Sequence, residues 1–395
     1  MKFLHLADLH IGKVVHGFSM LRDQEEMMKK LVYAARGNAV DAVLVAGDVY
    51  DTASPREKSI TCFDDFLTGL AAAHIPVIVI NGNHDSAERL RYVSRLLQNL
   101  NVHIISALDD NKAVPRISLR DDYGVVNFFA MPFMRPKEVR SLMEDESIID
   151  ETDAVNAMIK NTAIDGSERN VLLSHSFVSS NGKSPELGGS EFGIVGDEML
   201  GTVGQISGSL FDVFDYVALG HIHKAQSIGR DTMRYAGALL KYSKREAQYE
   251  KHFPLVTLGK KGDAIKIERL TIKPPHDMRI IKSAFGKIGE EMEKQGIARD
   301  DYLHVILQDS EPIQNVLNLI RHDYAPNTMT VDYERLGERR GESRRQLSSI
   351  DDKTREEIFA EFYEHRVGEG QKMAADEWEA LLMAAKEADE KGEAE

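Results

Sequence analysis

The chain contains one cysteine and has no long apolar run. Its single cysteine, Cys62, excludes a disulfide bond within the chain, and this is typical of a protein from a reducing compartment. No apolar stretch approaches the roughly 18–20 residues that cross a bilayer, so the sequence excludes an integral membrane protein. The opening residues include His5, Asp8 and His10 and do not form the apolar core of a secretory signal. We therefore expect a globular, cytoplasmic protein.

Net positive charge is also missing. The chain has 49 Lys and Arg against 64 Asp and Glu, which gives a net charge of −15. A protein that binds nucleic acid by charge alone is expected to be basic, because phosphate neutralisation supplies most of the non-specific affinity. If this chain acts on DNA, metal ions or a partner must supply much of the positive potential. A solvated acidic surface that keeps the protein soluble is the simpler interpretation of the same charge.

The order of apolar patterns predicts an α/β fold. At 395 residues the chain is long enough for two to three domains. Helical periodicity covers 19–36 and 87–99, where apolar residues recur at three- and four-residue spacing. Strands separated by helical connections are typical of layered α/β folds. The predicted strands of the first 275 residues are 2–7, 42–47, 76–81, 125–131, 170–175 and 216–221.

A second, smaller domain is predicted after Pro274 and Pro275, which can continue neither a helix nor a strand ladder. From Gly337 to Ser349 the composition changes to Arg, Glu, Gly and Ser, as in a flexible linker, and two helical patterns follow. We therefore divide the chain into residues 1–275, 276–336 and 337–395. The second part has a β-α-β-α-β order, with strands at 278–285, 302–308 and 328–334 and helices at 287–295 and 312–323.

Metal-ligand residues follow five of the predicted strands. In open α/β sheets, ligand sites lie just beyond the carboxyl ends of the strands, so these five segments can deliver polar groups to one point. In an extended chain, residues two apart face the same side, which would pair Asp8 with His10 and His221 with His223. Gly47, Gly82 and Gly220 directly precede candidate ligands, where close backbone approach is needed. The candidates are two carboxylates, one amide and four imidazoles: Asp8, Asp48, Asn83, His10, His175, His221 and His223.

Seven ligands are too many for one small cation but suit two cations if Asp48 bridges them. Mixed imidazole and carboxylate ligands favour Mn²⁺, Fe or Zn²⁺ over Mg²⁺ or Ca²⁺. Two such ions acidify a water molecule and clamp a phosphoryl oxygen, which predicts phosphoester hydrolysis. No G-x-S-x-G motif suggests a covalent nucleophile, and no G-x-x-x-x-G-K-[ST] loop suggests that this chain binds ATP.

Together the motifs D-x-H, GD, GNHD, a lone His after an apolar run, and GHIH resemble the calcineurin-like metallophosphoesterase superfamily. Nearly the whole chain is similar to members that serve as the nuclease component of a two-protein complex for DNA repair; LHLADLHIGK, GDVYDTASP, INGNHDS and ALGHIHKAQ carry this closer resemblance. The resemblance implies a layered domain with two central sheets flanked by helices, a DNA-facing cap and a C-terminal helical tail.

The resemblance also implies roles for individual residues. Asp8, His10, Asp48 and His223 would hold one metal ion, and Asp48, Asn83, His175 and His221 the other. His84 would contact the scissile phosphate and help protonate or stabilise the leaving oxygen. Asp85 would orient His84 from behind. Some relatives have a histidine in the stretch after GD, where this chain has Asp51, so the role of Asp51 stays open.

The activity that the resemblance implies is Mn²⁺-dependent hydrolysis of DNA, as a 3′-to-5′ exonuclease at double-strand ends and an endonuclease on single-stranded or hairpin DNA. The implied partner is an ATPase with a coiled coil, in a heterotetramer around a homodimer of this chain. Segment 87–99 would form the dimer surface, although core burial fits its pattern equally well. The apolar stripe Ile358, Phe359, Phe362 and Tyr363 would dock on the coiled coil, with packing on the chain's own cap as the alternative.

Two other functions fit parts of the sequence. A phosphatase or phosphodiesterase for small molecules or phosphoproteins would use the same metal site but would not need residues 276–395. A non-catalytic scaffold would need only the fold and the tail, and the filled ligand positions argue against it. Lys13 is expected to be solvated. We expect no catalytic role for the remaining histidines, which are His5, His16, His74, His103, His252, His276, His304, His322 and His365.

Overall fold

The computed structural model describes residues 1–108, 111–180, 182–190 and 204–334. The strands of this part are β1 (Lys2–Leu6), β2 (Val14–Val15), β3 (Phe18–Ser19), β4 (Ala42–Ala46), β5 (Val77–Ile80), β6 (Val102–Ile105), β7 (Arg116–Asp121), β8 (Gly124–Met131), β9 (Arg169–His175), β10 (Phe177–Ser179), β11 (Gln205–Ser207), β12 (Tyr216–Gly220), β13 (Gln226–Ile228), β14 (Arg230–Tyr235), β15 (Phe253–Thr257), β16 (Lys266–Leu270), β17 (Met278–Ser283), β18 (Tyr302–Leu307) and β19 (Thr328–Tyr333). The α-helices are α1 (Leu21–Gly37), α2 (Glu57–Ala72), α3 (Ala87–Arg91), α4 (Ser94–Leu97), α5 (Pro136–Met143), α6 (Glu151–Lys160), α7 (Ile288–Gln295) and α8 (Val316–Asp323).

Two six-stranded sheets form the centre of the fold. The first has the order β16-β15-β1-β4-β5-β6, in which β1, β4, β5 and β6 are parallel. The second has the order β13-β14-β12-β9-β8-β7, in which β14, β12, β9 and β8 are parallel. Strands β4 and β5 are buried along their whole length, which explains why they are continuous apolar runs rather than alternating ones. The parallel strands of each sheet end at one common edge.

The two sheets pack face to face, and helices cover their outer faces. Phe3 of the first sheet contacts Phe128 and Tyr216 of the second edge-on, with ring centroids 5.8 and 5.4 Å apart. Helices α1 and α2 bury their apolar sides on the first sheet, and α5 and α6 bury theirs on the second. This confirms the predicted α/β fold with two central sheets flanked by helices. Within the described residues, no helix has the length and apolar character of a membrane span.

The β-α-β-α-β order predicted after the two prolines is also confirmed. Strands β17, β18 and β19 form a small sheet in that order, with β17 and β18 parallel, and α7 and α8 connect them. Helix α8 begins at Val316, later than the predicted 312. Residues Met1–Asp332 form one compact unit and a second unit begins at Tyr333. The boundaries at 275 and 336 stay predictions, and the linker and the stripe at Ile358, Phe359, Phe362 and Tyr363 lie outside the described residues.

The prediction of one helix over 87–99 is wrong. The chain forms α3, leaves the helix at Tyr92, and resumes as α4 after Val93, which is left-handed at φ +54°. This turn lets Leu90 and Leu97 both pack against the core of the first sheet. Periodicity could not reveal a single left-handed residue, because the apolar spacing on either side of it still fits a helix.

Candidate metal centre

The loops that follow β1 and β4 run side by side and carry the first three candidate ligands. The backbone N–H of Asp8 donates to the carbonyl of Gly47 (3.1 Å), and that of His10 donates to the carbonyl of Asp48 (3.0 Å). Asp8, His10 and Asp48 are each at most 2% exposed. Buried polar side chains of this kind need partners or a bound ion. The two loops therefore deliver two carboxylates and an imidazole to one dry pocket.

These loops are not extended, which corrects the spacing argument made from sequence. Asp8, His10 and Asp48 have φ of +50°, +45° and +49°, and His221 has φ of +97°. Non-glycine residues in such conformations cost roughly 1–3 kcal/mol each and persist only where surrounding contacts impose them. Asp8 still lies with His10, and His221 near His223, but left-handed turns rather than a shared strand face bring them together. The backbone is strained at the ligands themselves.

Three glycines allow the loops to approach one another. A Cβ at Gly47 would lie 2.3 Å from Nδ1 of His175, and one at Gly82 would lie 2.1 Å from Oδ1 of Asp48. A Cβ at Gly220 would lie 1.9 Å from the carbonyl oxygen of Ala46, which joins the ends of the two sheets. The close approach expected at these glycines is present at all three.

One group of ligands forms around His10 and His223. Their Nε2 atoms are 3.0 Å apart, and together with a carboxylate oxygen of Asp8 they offer three ligand atoms within 4.8 Å of one another. His10 Nε2 is also 3.6 Å from Oδ2 of Asp48. Burial lowers the pKa of His10 to about 3, so its ring is neutral and has a lone pair to give. Imidazole lone pairs and carboxylates that converge in this way fit a divalent transition-metal ion.

A second group forms around His175. Its Nδ1 lies 2.9 Å from the carbonyl of Ala46, so Nδ1 carries the proton and Nε2 faces Oδ1 of Asn83 at 3.0 Å and Oδ2 of Asp48 at 3.4 Å. Asp8, Asp48 and His175 also offer three ligand atoms within 4.8 Å of one another. Although burial lowers the pKa of His175, the carboxylates of Asp48 and Asp8 raise it to about 9. Positive charge is strongly stabilised at this position, as a cation site requires.

His221 and Asn83 lie beside the second group. The backbone N–H of His221 donates to both oxygens of Asp8, at 2.9 and 3.1 Å, and its ring lies 5.4 Å from that of His175. Burial lowers the pKa of His221 to about 3, which keeps this ring neutral too. The structure therefore brings all seven predicted ligands into one neighbourhood. Of these, Asp8, His10, Asp48, His175 and His223 form two of the three tight groups of His and carboxylate atoms in the described residues, and His10 forms the third with Asp51 and His84.

His84 lies next to the first group. Its backbone N–H donates to Oδ1 of Asp48 (3.0 Å), and its Nδ1 lies 3.0 Å from the backbone carbonyl of Asp51. Its ring is 4.9 Å from that of His10. These bonds fix the ring beside the ligands and leave Nε2 available to a substrate.

Asp51 joins His10 to Lys13. Its Oδ1 is 2.7 Å from Nζ of Lys13 and 3.4 Å from Nδ1 of His10, so Lys13 is paired rather than simply solvated. Although burial raises the pKa of the Asp51 carboxyl, His10 and Lys13 lower it to about 2. The ionised carboxylate of Asp51 therefore lies on the Nδ1 side of His10, as a carboxylate behind a metal-bound histidine does.

Asp85 contacts the loops rather than the ring of His84. Its carboxylate accepts bonds from the backbone N–H groups of Val49 (3.0 Å), Tyr50 (2.9 Å) and Gly82 (2.9 Å). The ring of His84 is oriented by Asp51 instead. The physical reason is geometric, because three N–H groups surround the Asp85 carboxylate. Asp85 thereby ties the loop that carries Asp48 to the loop that carries Asn83 and His84.

The sequence did not indicate a buried chain of hydrogen bonds behind His223, which we call the relay. Nδ1 of His223 lies 2.6 Å from the hydroxyl of Ser190, which donates in turn to Oε1 of Glu246. Lys251 donates to Oε2 of Glu246 (2.5 Å) and to the carbonyl of His223 (2.8 Å). Glu246 is fully buried. Although burial opposes it, Lys251 holds the pKa of Glu246 well below its usual range. Glu246 sits in a charged sequence run that gives no sign of burial.

The chain is similar to known proteins over most of its length. Residues 1–225 match the profile of the calcineurin-like phosphoesterases, and residues 274–367 match the profile described as the type 5 capsule protein repressor C-terminal domain. The SbcD component of the nuclease SbcCD from Staphylococcus saprophyticus is 31% identical to this chain over 336 residues, which cover 84% of each protein.

Two solved structures resemble the chain more distantly. TT1561 of Thermus thermophilus covers 68% of this chain and 98% of its own, at 12% identity and a TM-score of 0.40. A dimetal phosphatase from Danio rerio covers 69% of this chain and 97% of its own, at 12% identity and a TM-score of 0.39. The phosphoesterase profile is the more informative match, because it spans more than half of the chain and includes every candidate ligand.

Proposed function

The chain belongs to the calcineurin-like phosphoesterase family and, within it, to the SbcD nucleases, and on this premise we propose that it hydrolyses DNA phosphodiester bonds at a centre of two divalent cations. The observation that carries the proposal is the convergence of the predicted ligands at the carboxyl ends of two sheets. Asp48 is near both groups, with its Oδ2 3.6 Å from His10 Nε2 and 3.4 Å from His175 Nε2. That position suits a bridging carboxylate.

We assign the ligands of one ion to Asp8, His10, Asp48 and His223, and those of the other to Asp48, Asn83, His175 and His221. Four imidazoles with carboxylate and amide oxygens favour a transition metal, and we propose Mn²⁺. Two bound ions of this kind supply Lewis acidity to a phosphoryl oxygen and lower the pKa of a water molecule.

The protein's own groups would hold the substrate and handle the leaving oxygen. His84 Nδ1 is bonded to the Asp51 carbonyl, so Nε2 is the atom that would face the scissile phosphate. Proton donation from a positioned imidazole contributes typically 10²–10⁴-fold to rate. Asp85 and Asp51 would act indirectly, since the Asp85 carboxylate binds backbone N–H groups of the loops and the Asp51 carbonyl holds the ring of His84.

We propose 3′-to-5′ exonuclease action at double-strand ends and endonuclease action on single-stranded and hairpin DNA, in DNA repair, recombination and replication. The partner would be an SbcC-type ATPase with a coiled coil, supported by the name of the 31% identical relative. Such a partner would supply both the ATP site and the positive potential that a chain of net charge −15 lacks. The tail stripe at Ile358, Phe359, Phe362 and Tyr363 would dock on it, in the reducing cytoplasm.

A homodimer through the segment of α3 and α4 is the proposed core of a heterotetramer. Tyr92, Leu96 and Leu100 are 78%, 68% and 58% exposed, so burial in the chain's own core does not explain them. Clustered exposed apolar side chains of this size mark interaction surfaces. A second copy of the chain would cover them.

The nearest rival is a phosphatase or phosphodiesterase with the same metal centre and a small-molecule or phosphoprotein substrate. Assay of the purified chain with Mn²⁺, alone and with its SbcC-type partner, on hairpin DNA and on p-nitrophenyl phosphate separates the two. We expect DNA cleavage that is lost on chelation. Rapid turnover of the small ester without any DNA cleavage, even with the partner present, would overturn the nuclease proposal.

A further inference from the structure

Gln24 uses both polar atoms of its side chain to contact the loop that carries Asp8 and His10. The residue lies early in α1 and its side chain is fully buried. Nε2 donates to the carbonyl of His10 (2.8 Å) and lies 3.2 Å from that of Leu9, and Oε1 accepts from the N–H of Gly12 (2.9 Å). A buried amide with this many partners is a fixed point, because leaving any of its groups unpaired is costly.

Tyr242 closes the same cluster from a distant part of the chain. Its hydroxyl accepts from Nε2 of Gln24 (2.8 Å) and donates to the carbonyl of Leu9 (2.6 Å). Its ring lies 5.9 Å from that of His10 and 6.1 Å from that of His223. Gln24 and Tyr242 thus hold the loop from two sides, and Tyr242 also packs against both histidines of the first group.

The loop needs these supporting contacts because every second residue from Asp8 to Gly12 has a positive φ. His10 and Gly12 are left-handed, at φ +45° and +95°, a conformation that persists at a non-glycine residue only where surrounding contacts impose it. The carbonyl of Leu9 accepts from the hydroxyl of Tyr242, and the carbonyl of His10 accepts from Gln24 and from the backbone N–H of Lys13 (3.0 Å). In this left-handed conformation the ring of His10 faces that of His223.

We infer that Gln24, supported by Tyr242, is a positioning residue that holds His10 in its ligand conformation and so sets the affinity of the metal site formed by Asp8, His10 and His223. This inference rests on the proposed metal-dependent function. It adds two residues that do not touch metal or substrate. Outer partners of metal ligands, when replaced, typically lower metal affinity 10–100-fold.

The test is titration of the full-length, metal-stripped chain with Mn²⁺. Calorimetry measures the binding, and electron paramagnetic resonance reports whether the bound ions are coupled. Gln24→Met keeps the side-chain length and removes the polar contacts of Gln24 with the loop and with Tyr242. We expect wild type to bind two ions and show the signal of a spin-coupled pair. We expect Gln24→Met to bind one of them 10–100-fold more weakly and to show an isolated ion at the same concentration.

A milder variant and two matched controls keep the test decisive if Gln24→Met folds poorly. Tyr242→Phe keeps the ring and removes only the hydroxyl, and we expect the same site to weaken about tenfold, the lower end of that range. Tyr216→Phe removes a buried hydroxyl that contacts His5 instead. Asn127→Leu removes a buried amide that bonds Glu168 and Asn170. Neither control should change Mn²⁺ affinity.

Each result decides between clear alternatives. Wild-type Mn²⁺ affinity and a coupled pair in both Gln24→Met and Tyr242→Phe would overturn the inference and leave the proposed function standing. Equal weakening in the control variants would also overturn it, because loss of stability would then explain the effect. A wild-type chain that binds no Mn²⁺ would overturn the proposed function itself.

Discussion

The Nδ1 atom of His84 lies 3.0 Å from the backbone carbonyl of Asp51, which fixes the ring beside the proposed metal ligands. Only the backbone N–H of His84 bonds a proposed ligand, at Oδ1 of Asp48. Substrate contact and metal binding are therefore separable at this residue. A side chain that replaces the imidazole should leave the ligands in place.

Replacement of His84 by Gln should abolish DNA cleavage while metal content stays at two ions per chain. The expected loss is about 10²–10⁴-fold, the usual contribution of a positioned proton donor. Cleavage is measured on hairpin DNA with Mn²⁺, and metal content by elemental analysis. His322→Gln is the control, since that ring is largely exposed and lies on α8. Unchanged cleavage in His84→Gln would refute the role given to His84.

Replacement of Glu246 by Gln should weaken Mn²⁺ binding about tenfold, because Ser190 would lose its charged acceptor and hold His223 less firmly. The same change leaves Lys251 buried without its ion-pair partner, which typically costs about 3–5 kcal/mol of stability. Urea unfolding and Mn²⁺ titration measure the two effects.

The double variant Glu246→Gln, Lys251→Met separates those effects. We expect it to recover most of the stability, because no unpaired charge stays buried. Metal affinity should stay low in the double variant, since the relay to His223 is still broken. Recovery of metal affinity together with stability would show that the relay does not support His223.

Replacement of Leu96 by Glu should convert a dimer of the chain to a monomer. Leu96 is 68% exposed beside Tyr92 and Leu100, and a charge in the middle of a covered apolar patch is costly to bury. Light scattering after size exclusion measures the mass. Tyr33→Glu, at an equally exposed aromatic residue on α1, should leave the mass unchanged. A monomeric wild-type chain would rule out this surface as a dimer contact.

The buried His5 should make the protein less stable as the pH falls below about 6.5. Burial lowers its pKa in the folded state from 6.5 to about 3, so between these values the unfolded chain binds the extra proton. Its stabilising contribution is thus complete above pH 6.5 and is lost as the pH falls toward 3, by about 1.4 kcal/mol per pH unit. His5→Gln should make this slope shallower by one proton's contribution, because the buried His10 and His221, whose pKa values are also lowered to about 3, still contribute. Urea unfolding at about pH 5, 6 and 7 in EDTA measures the difference. Equal slopes in the two proteins would contradict the prediction.

The architecture and the convergence of the candidate ligands could be predicted from sequence because both depend on regular patterns. Parallel strands such as β4 and β5 are apolar along their length, and their carboxyl ends lie at one edge, so the residues after them had to meet. The left-handed conformations of Asp8, His10, Asp48 and His221 could not be predicted, since contacts between distant loops impose them.

The residues that support the proposed ligands differ in how clearly the sequence indicates their role. Gln24 stands on the apolar face of α1, four residues after Met20 and three before Met27, both buried. A polar residue in a buried stripe is a readable sign of a buried hydrogen-bonding role. Glu246 gives no such sign, because it stands in a charged run and its partners are Lys251, five residues later, and the distant Ser190.

The most direct measurement is anomalous scattering at the manganese edge from crystals of the chain grown with Mn²⁺. We predict two peaks per chain about 3.5–4 Å apart, with Asp48 between them, one beside His10 and His223 and the other beside Asn83 and His175. A single peak, or density away from these side chains, would contradict a binuclear phosphodiesterase centre.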